Sequence, residues 1–337
     1  MSCRLVDIVA KQKPLSRCVS LLQTNKLLST IDAGRTIARR NARVSLRLQM
    51  LQVARLSRNT LGNSLELVSK FLKSTACAGG GFSNRQGQVD LYYSAFAADA
   101  ILAVDESWDS TELEPWLMQY GSGSSLDFVH LCCLVRLWAA CGKRRCPSSM
   151  SDSFVERLET FRSSDGGFSS RLGATSGTAY GSFLALGAYG DLGRELSNPA
   201  GIEHSLASLK TADGGWSNEP RRLVGSTAAT AAAVVVMHSL GQSIDPDPIR
   251  WLLEQRHATG GFVAAPGVPL PDLLSTAVAL HALDATQAPW RQWREGVLDF
   301  IDSLWTAEGA FHGSWADDIP DAEYTYYGLV ALGHASV

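Results

Sequence analysis

The sequence has no apolar run long enough to span a bilayer. The longest uncharged one, Ala228 to Met237, falls far short of the ~20 residues a transmembrane helix needs. There is no Cys-x-x-Cys pair and no zinc-finger spacing among the seven cysteines, Cys3, Cys18, Cys77, Cys132, Cys133, Cys141 and Cys146. An odd count in a large chain excludes a simple disulfide framework. Cys132 and Cys133 fall in an apolar segment and read as buried thiols. A reducing, cytoplasmic setting is expected. Acids are nearly missing from the first 60 residues, where 12 Lys or Arg face only Asp7 and Asp32. Beyond them the balance reverses, to 31 acidic against 18 basic residues. An acidic body argues against nucleic acid as a partner, since phosphate contacts need a basic face.

The basic leader includes Arg35, Arg39, Arg40, Arg43, Arg47, Arg55 and Arg58, and it lacks the long apolar core of a secretory signal. Three readings stay open: an organelle-targeting segment, a membrane-surface contact, or a plain extension. We expect residues 1–45 to be a poorly ordered basic extension and residues 46–337 a single domain. Gly142-Lys143-Arg144-Arg145 is not a phosphate loop, because the earlier glycine and the following Ser or Thr are missing. It reads as a solvated turn.

What the chain does have is a repeat. Short glycine-aromatic turns recur at Gly79-Gly80-Gly81-Phe82, Asp165-Gly166-Gly167-Phe168, Asp213-Gly214-Gly215-Trp216, Gly260-Gly261-Phe262 and Gly309-Ala310-Phe311. A weaker turn, Gly121-Ser122-Gly123, sits in the gap after the first. Phe82 and Phe168 are 86 residues apart, or two steps of 43, and the later steps are 48, 46 and 49. A period of this size means one supersecondary unit, repeated, that cannot bury its apolar face alone. After each turn comes a segment apolar nearly all round, starting near Asp90, Asp127, Ser176, Ser226, Ser275 and Glu323. Ser and Asp at such starts are good helix caps. Before the turns lie amphipathic helices, as in Leu65-Val68-Phe71-Leu72, Phe154-Leu158-Phe161, Ile249-Leu252-Leu253 and Val297-Phe300-Ile301-Leu304. The first set predicts helices buried on both sides, the second helices wet on one face. The last repeat stays apolar almost to the C-terminus, which favours closing six hairpins into a ring. The expected fold is all-α: an α/α toroid with inner and outer helix rings.

This pattern resembles the toroid shared by protein prenyltransferase β subunits and squalene/terpene cyclases, over roughly residues 60–337. Arg162-x-x-x-Gly166-x-Phe168, Lys210-x-x-x-Gly214-x-Trp216 and Arg256-x-x-x-Gly260-x-Phe262 look like weakened forms of that group's Gln/Trp repeat. Gly81-Phe82-Ser83-Asn84-Arg85-Gln86-Gly87-Gln88-Val89-Asp90-Leu91-Tyr92-Tyr93 and Asp321-Ala322-Glu323-Tyr324-Thr325-Tyr326-Tyr327-Gly328-Leu329 look most like a type II geranylgeranyltransferase β subunit. The resemblance implies prenyl transfer, a zinc-bound thiolate and a helical-repeat α-subunit partner. Repeats specify the fold, not the reaction.

The site positions that the resemblance implies are largely substituted. The zinc set falls on Asp272, Leu274 and Tyr324, and one carboxylate is not a zinc site. The diphosphate clamp falls on Pro266 and Pro269, with Ser226 at a further phosphate position. Arg85, Arg171, Arg221 and Arg222 are other cations at the same rim. Neither the Asp-x-Asp-Asp tetrad of class II cyclases nor a Cys-Gly-Glu-Gln thioester occurs.

An acidic group remains: Asp317, Asp318, Asp321 and Glu323, with His312 nearby. Asp317-Asp318-Ile319-Pro320-Asp321 formally matches the DDxxD pattern that holds Mg²⁺-diphosphate from a helix, although Pro320 disfavours helix there. A loop capping the next helix is the alternative. Tyr93, Tyr180, Tyr324 and Tyr327, with Tyr92, Phe128 and Tyr326, would either line a cavity for an isoprenoid or fill the barrel. His130 stands one turn above Asp127, as an acid–base pair or a plain core histidine.

The expected function is a prenyltransferase β-subunit-like protein that acts on or binds an isoprenoid. Asp272, Asp317, Asp318 and Asp321 are its candidate catalytic residues. Asp272, Asp317 and Asp321 are candidate ligands for zinc or magnesium, and Tyr93, Tyr180, Tyr324, Tyr327, Arg221 and Arg222 are candidates for substrate contact. The alternative is a non-catalytic toroid that binds a lipid chain or a helical protein.

Overall fold

The computed structural model describes residues 44–142 and 146–337. The expectations placed on residues 1–43, and the solvated-turn reading at Lys143-Arg144-Arg145, lie outside the described residues. Helix α1 (Leu46–Leu56) comes first. Six hairpins follow, each an outer helix and then an inner one: α2 (Leu65–Ser74) and α3 (Leu91–Val104), α4 (Glu114–Leu117) and α5 (Phe128–Cys141), α6 (Ser148–Glu159) and α7 (Ala179–Leu192), α8 (Pro199–Ser208) and α9 (Thr227–Ser239), α10 (Pro246–Glu254) and α11 (Leu273–Ala285), α12 (Arg294–Ser303) and α13 (Ala322–Ala335). Two short antiparallel ribbons mark the first and fifth turns: β1 (Phe82–Ser83) with β2 (Val89–Asp90), and β3 (Phe262–Val263) with β4 (Pro271–Asp272).

Sequence dictates this division. Outer helix α2 buries Val68 and Leu72 and leaves its charged residues wet. Inner helix α9 buries nine of its residues, almost all Ala, Val and Thr, because it packs on both sides. Side chains cap the inner helices: Asp90, Asp127, Thr178, Ser226, Asp272 and Asp321 each accept from a backbone N–H three residues on. Thr178 and Asp272 take the places expected for Ser176 and Ser275. The second hairpin is irregular. Its outer helix is one turn long, with Pro115 near its start, and its glycines bring no aromatic.

The turn aromatics are plugs. Phe82, Phe168, Phe262 and Phe311 are buried, and Trp216 nearly so. In four hairpins the aromatic's N–H donates to a hydroxyl on the inner helix: Phe82 to Ser94 (2.7 Å), Trp216 to Thr230 (2.9 Å), Phe262 to Thr276 (2.9 Å) and Phe311 to Thr325 (3.4 Å). These bonds satisfy a donor that burial would otherwise leave unpaired.

Turn glycines are needed because every turn but the second packs on the next outer helix. Gly81 faces Trp116, Gly166 faces Gly201, Gly215 faces Trp251, and Gly260 faces Gly296. Gly309 of the sixth turn faces Leu67 of the first outer helix. The ring is therefore closed. The inner helices confirm it, since each touches its neighbours and α13 touches α3. Helix α1 blocks the end where the inner helices finish. Val53 packs on Gly333 of α13, Ser45 on Gly190 of α7, and Arg47 pairs with Asp99 of α3. Among the described residues no helix is long and apolar enough to cross a membrane.

A methyl group on Gly260 would lie 1.7 Å from the Gly296 carbonyl oxygen, at a backbone φ of +108°. Gly187, in the middle of α7, has nothing within 4 Å of its Cβ position. Gly260→Ala is expected to destabilise the fold by more than ~1 kcal/mol. Gly187→Ala is expected to stabilise it by ~0.5–1 kcal/mol, the usual cost of a mid-helix glycine. Urea melts of the two variants beside the parent would check both signs.

Candidate functional site

Helical spacing sets what faces the middle of the ring. Positions three and four apart share a face, and on α7 that face carries Tyr180, Gly187 and Asp191. The matching faces carry Tyr92, Phe96 and Asp99 on α3, Cys133 and Arg136 on α5, and Glu323 and Tyr327 on α13. These groups converge. Tyr92 and Phe96 rings lie 4.9 Å apart, and Phe96 lies 5.4 Å from Tyr327 and 5.7 Å from Tyr326. The Tyr92 hydroxyl donates to Glu323 Oε1 at 2.6 Å. Tyr180 is 40% exposed, yet burial pushes its phenol well above the ordinary range, with Cys133, Glu323 and Arg136 within electrostatic reach. A ring open to water but surrounded by protein lines a concavity. Gly187, on the same face of α7, has nothing within 4 Å of its Cβ position, and the middle of the ring that these faces surround is called the lumen below.

The lumen has a mouth at the turn side. Arg85, in the β1–β2 turn, donates to Asp321 Oδ2 (2.6 Å) and to both Asp317 oxygens (2.7 and 3.0 Å). Its guanidinium also lies over Tyr324, 5.4 Å from the ring centroid. First and sixth hairpins are thereby tied at the rim. Just inside sits Glu323, its carboxyl pushed up to about 7 by burial, with the Tyr92 hydrogen bond acting the other way. The inner end is charged. Asp99, fully buried, accepts from Arg47 Nε at 2.7 Å and from Arg136 Nε at 2.6 Å. Asp191 stands near both arginines, its carboxyl pushed up to about 6 by burial.

The expected site residues divide. Tyr180 and Tyr327 come together in the lumen. Tyr93 lies at the mouth, 5.8 Å from the Tyr92 ring, and Tyr324 lies at the rim under Arg85. Asp272 caps α11, accepting from the Ser275 N–H and hydroxyl, each at 2.7 Å. Asp321 caps α13, and Asp317 and Asp318 sit on the loop before it, Asp318 exposed. The DDxxD stretch is not helical, so its carboxylates turn to Arg85. Arg221 and Arg222 are exposed on the loop before α9, with Arg222 paired to Glu219. His130 Nδ1 meets Asp127 at 2.8 Å, at the rim. Among the described residues no group of three or more His, Cys, Asp or Glu is placed to hold a metal. The acids at the rim do not fit one either, because a cap bond or Arg85 already engages Asp272, Asp317 and Asp321.

Arg136, Asp99 and Phe96 escaped the sequence reading. Their only sequence signal is a charge inside an otherwise apolar inner helix, at Asp99 and again at Arg136.

Residues 230–335 match the family model described as the prenyltransferase alpha-alpha toroid domain. Among curated proteins no sequence matches. Among solved structures, the apo type II terpene cyclase MstE from Scytonema is similar, with a TM-score of 0.57 and 14% identity over 82% of this chain and 97% of that one. Candida albicans protein geranylgeranyltransferase-I, solved in complex with GGPP, is similar with a TM-score of 0.60 and 12% identity over 80% of this chain and 90% of that one. At such identities the likeness speaks for the fold, which the closed six-hairpin ring and the matched repeats bear out independently. This chain is thus an α/α toroid in fold, and its residues 230–335 carry the match to the prenyltransferase alpha-alpha toroid domain.

Proposed function

We propose that this toroid binds a prenyl chain in its lumen, as a prenyltransferase β-subunit-like protein without the zinc chemistry of cysteine prenylation. The observation that carries the reading is Tyr180, open to water inside a wall made by Tyr92, Phe96 and Tyr327. Aromatic faces take up an unsaturated apolar chain with large contact area. Against metal-dependent transfer stand Leu274 and Tyr324 at zinc positions and Pro266 and Pro269 at the clamp. Against acid-started cyclisation stands the missing Asp-x-Asp-Asp tetrad.

Exposed apolar side chains stand on the loops that lead into the inner helices: Leu172, Leu223, Val224, Trp315 and Ile319. Such side chains fit a protein partner better than water. It supports the helical-repeat partner that the resemblance implies.

Lipids extracted from the purified full chain are expected to include a prenyl-type molecule near one per protein, read by mass spectrometry. Tyr180→Ala is expected to weaken binding of a fluorescent farnesyl analogue roughly tenfold, the loss of one aromatic contact. Tight binding that ignores this substitution would place the ligand elsewhere, and no binding at all would end the reading.

Glu323 gives a second check. Its native carboxyl binds a proton more tightly than the unfolded one, whose value is 4.5. Below that pH both states hold the proton. Between about 4.5 and about 7 the native state binds more protons, so stability falls as pH rises. Glu323→Gln keeps an acceptor for Tyr92 and removes the charge. Its Tm advantage over the parent should therefore grow from pH 5 to pH 8. An advantage independent of pH would mean that Glu323 is solvated.

A further inference from the structure

Five helices send one polar group each to the inner end of the lumen: Arg47 from α1, Asp99 from α3, Arg136 from α5, Asp191 from α7 and Tyr326 from α13. Asp99 is shared between the two arginines. The Arg136 guanidinium lies between two rings, 4.9 Å from the Phe96 centroid and 5.1 Å from that of Tyr326. Stacking fixes the plane and leaves the edge free. On that edge Nη2 is buried and has no hydrogen-bond partner. The Tyr326 hydroxyl is also buried and unpartnered, in a side chain with no exposure at all. Its electrical surroundings are Arg136, Asp99, Arg47 and Asp191. Two unpaired buried donors in one place are expensive. Buried polar atoms in native proteins are nearly always satisfied. On α7, Gly187 lies between Tyr180 and Asp191 with nothing within 4 Å of its Cβ position.

We infer that this inner end is an acceptor-binding subsite, which takes the carboxylate of a chain acid whose apolar body lies along the aromatic lumen. The inference rests on the lumen-binding reading above and adds the class and direction of the ligand. Arg136 Nη2 can only donate and the Tyr326 hydroxyl is able to donate, so a single acceptor would satisfy both. Charge favours a monoanion. Two arginines face Asp99 and Asp191, and when Asp191 holds its proton one positive charge is uncompensated. A diphosphate carries more charge than this end can balance. Orientation follows from where the arginines stand: two lie at the inner end, while the one at the mouth, Arg85, is already held by Asp317 and Asp321. From Tyr92 to Asp99 along α3 the depth is only ~10 Å at the helical rise per residue, so the chain is short or folded.

The test uses the full chain and two probes with the same skeleton: farnesoic acid, and farnesene, which has no oxygen. Each is titrated by displacement of a fluorescent farnesyl analogue. The acid is expected to bind at least tenfold more tightly than the hydrocarbon. Arg136→Gln should abolish that preference and Tyr326→Phe should reduce it several-fold, each read as the ratio of acid to farnesene affinity within the same variant. Tyr326→Phe removes only a hydroxyl from a packed ring, so it decides the matter if Arg136→Gln does not fold. Farnesene binding with no preference for the acid, or a preference that survives Tyr326→Phe unchanged, overturns this inference and leaves the lumen reading standing. Failure of both probes to displace the analogue, or of the analogue to bind, overturns both.

Discussion

All but the second glycine turn in this toroid rest on the outer helix of the following hairpin, and the sixth turn rests on the first outer helix, α2. That return contact, Gly309 on Leu67, is the constraint on which the rest depends. It forces α13 against α3 and places Arg85 within reach of Asp317 and Asp321. It also brings Tyr92 to Glu323 across 231 residues of sequence. An open solenoid would leave the apolar sides of its end helices to water. A ring has no ends, so the final helix can stay apolar to its last turn.

Closure makes a lumen, and α1 gives it an inner end. An amphipathic helix outside the repeat lies over the finishing ends of α3, α7 and α13, and Gly333 lets its backbone approach. The middle of the ring therefore has chemically distinct ends. The turn side holds acids and one arginine that they bind, aromatic rings stand between, and the inner end carries two arginines.

The ring was legible because its signals are local. A glycine needed for close approach, an aromatic plug and a capping Asp or Ser all act within one hairpin, so period and composition reveal them. Tyr180 and Tyr327 were legible as residues near the middle of the ring, because the period marks their helices as inner ones. Asp317-Asp318-Ile319-Pro320-Asp321 shows the limit of motif reading. The pattern is present, but Pro320 keeps the stretch out of a helix and Arg85, far off in sequence, engages two of the acids. The Arg47–Asp99–Arg136 group was not legible, because its members lie 52 and 37 residues apart. Only three-dimensional closure shows that a lone Asp and a lone Arg in apolar helices answer each other.

Buried ion groups are poor stabilisers. Moving charges out of water costs several kcal/mol per ion, and well-packed apolar replacements are often as stable or more so. If the inner end served stability alone, leucines in place of Arg136 and Asp99 would do as well. A partner-free Nη2 and a partner-free hydroxyl make the stability account weaker still, because a structural network has every reason to satisfy its own members. A binding site has the opposite need: its donors must be unpaired until the ligand comes. The incomplete hydrogen bonding at Arg136 and Tyr326 is therefore the feature that separates a recognition device from a relic of packing, and it lies at the one end of the lumen that the rim substitutions leave untouched.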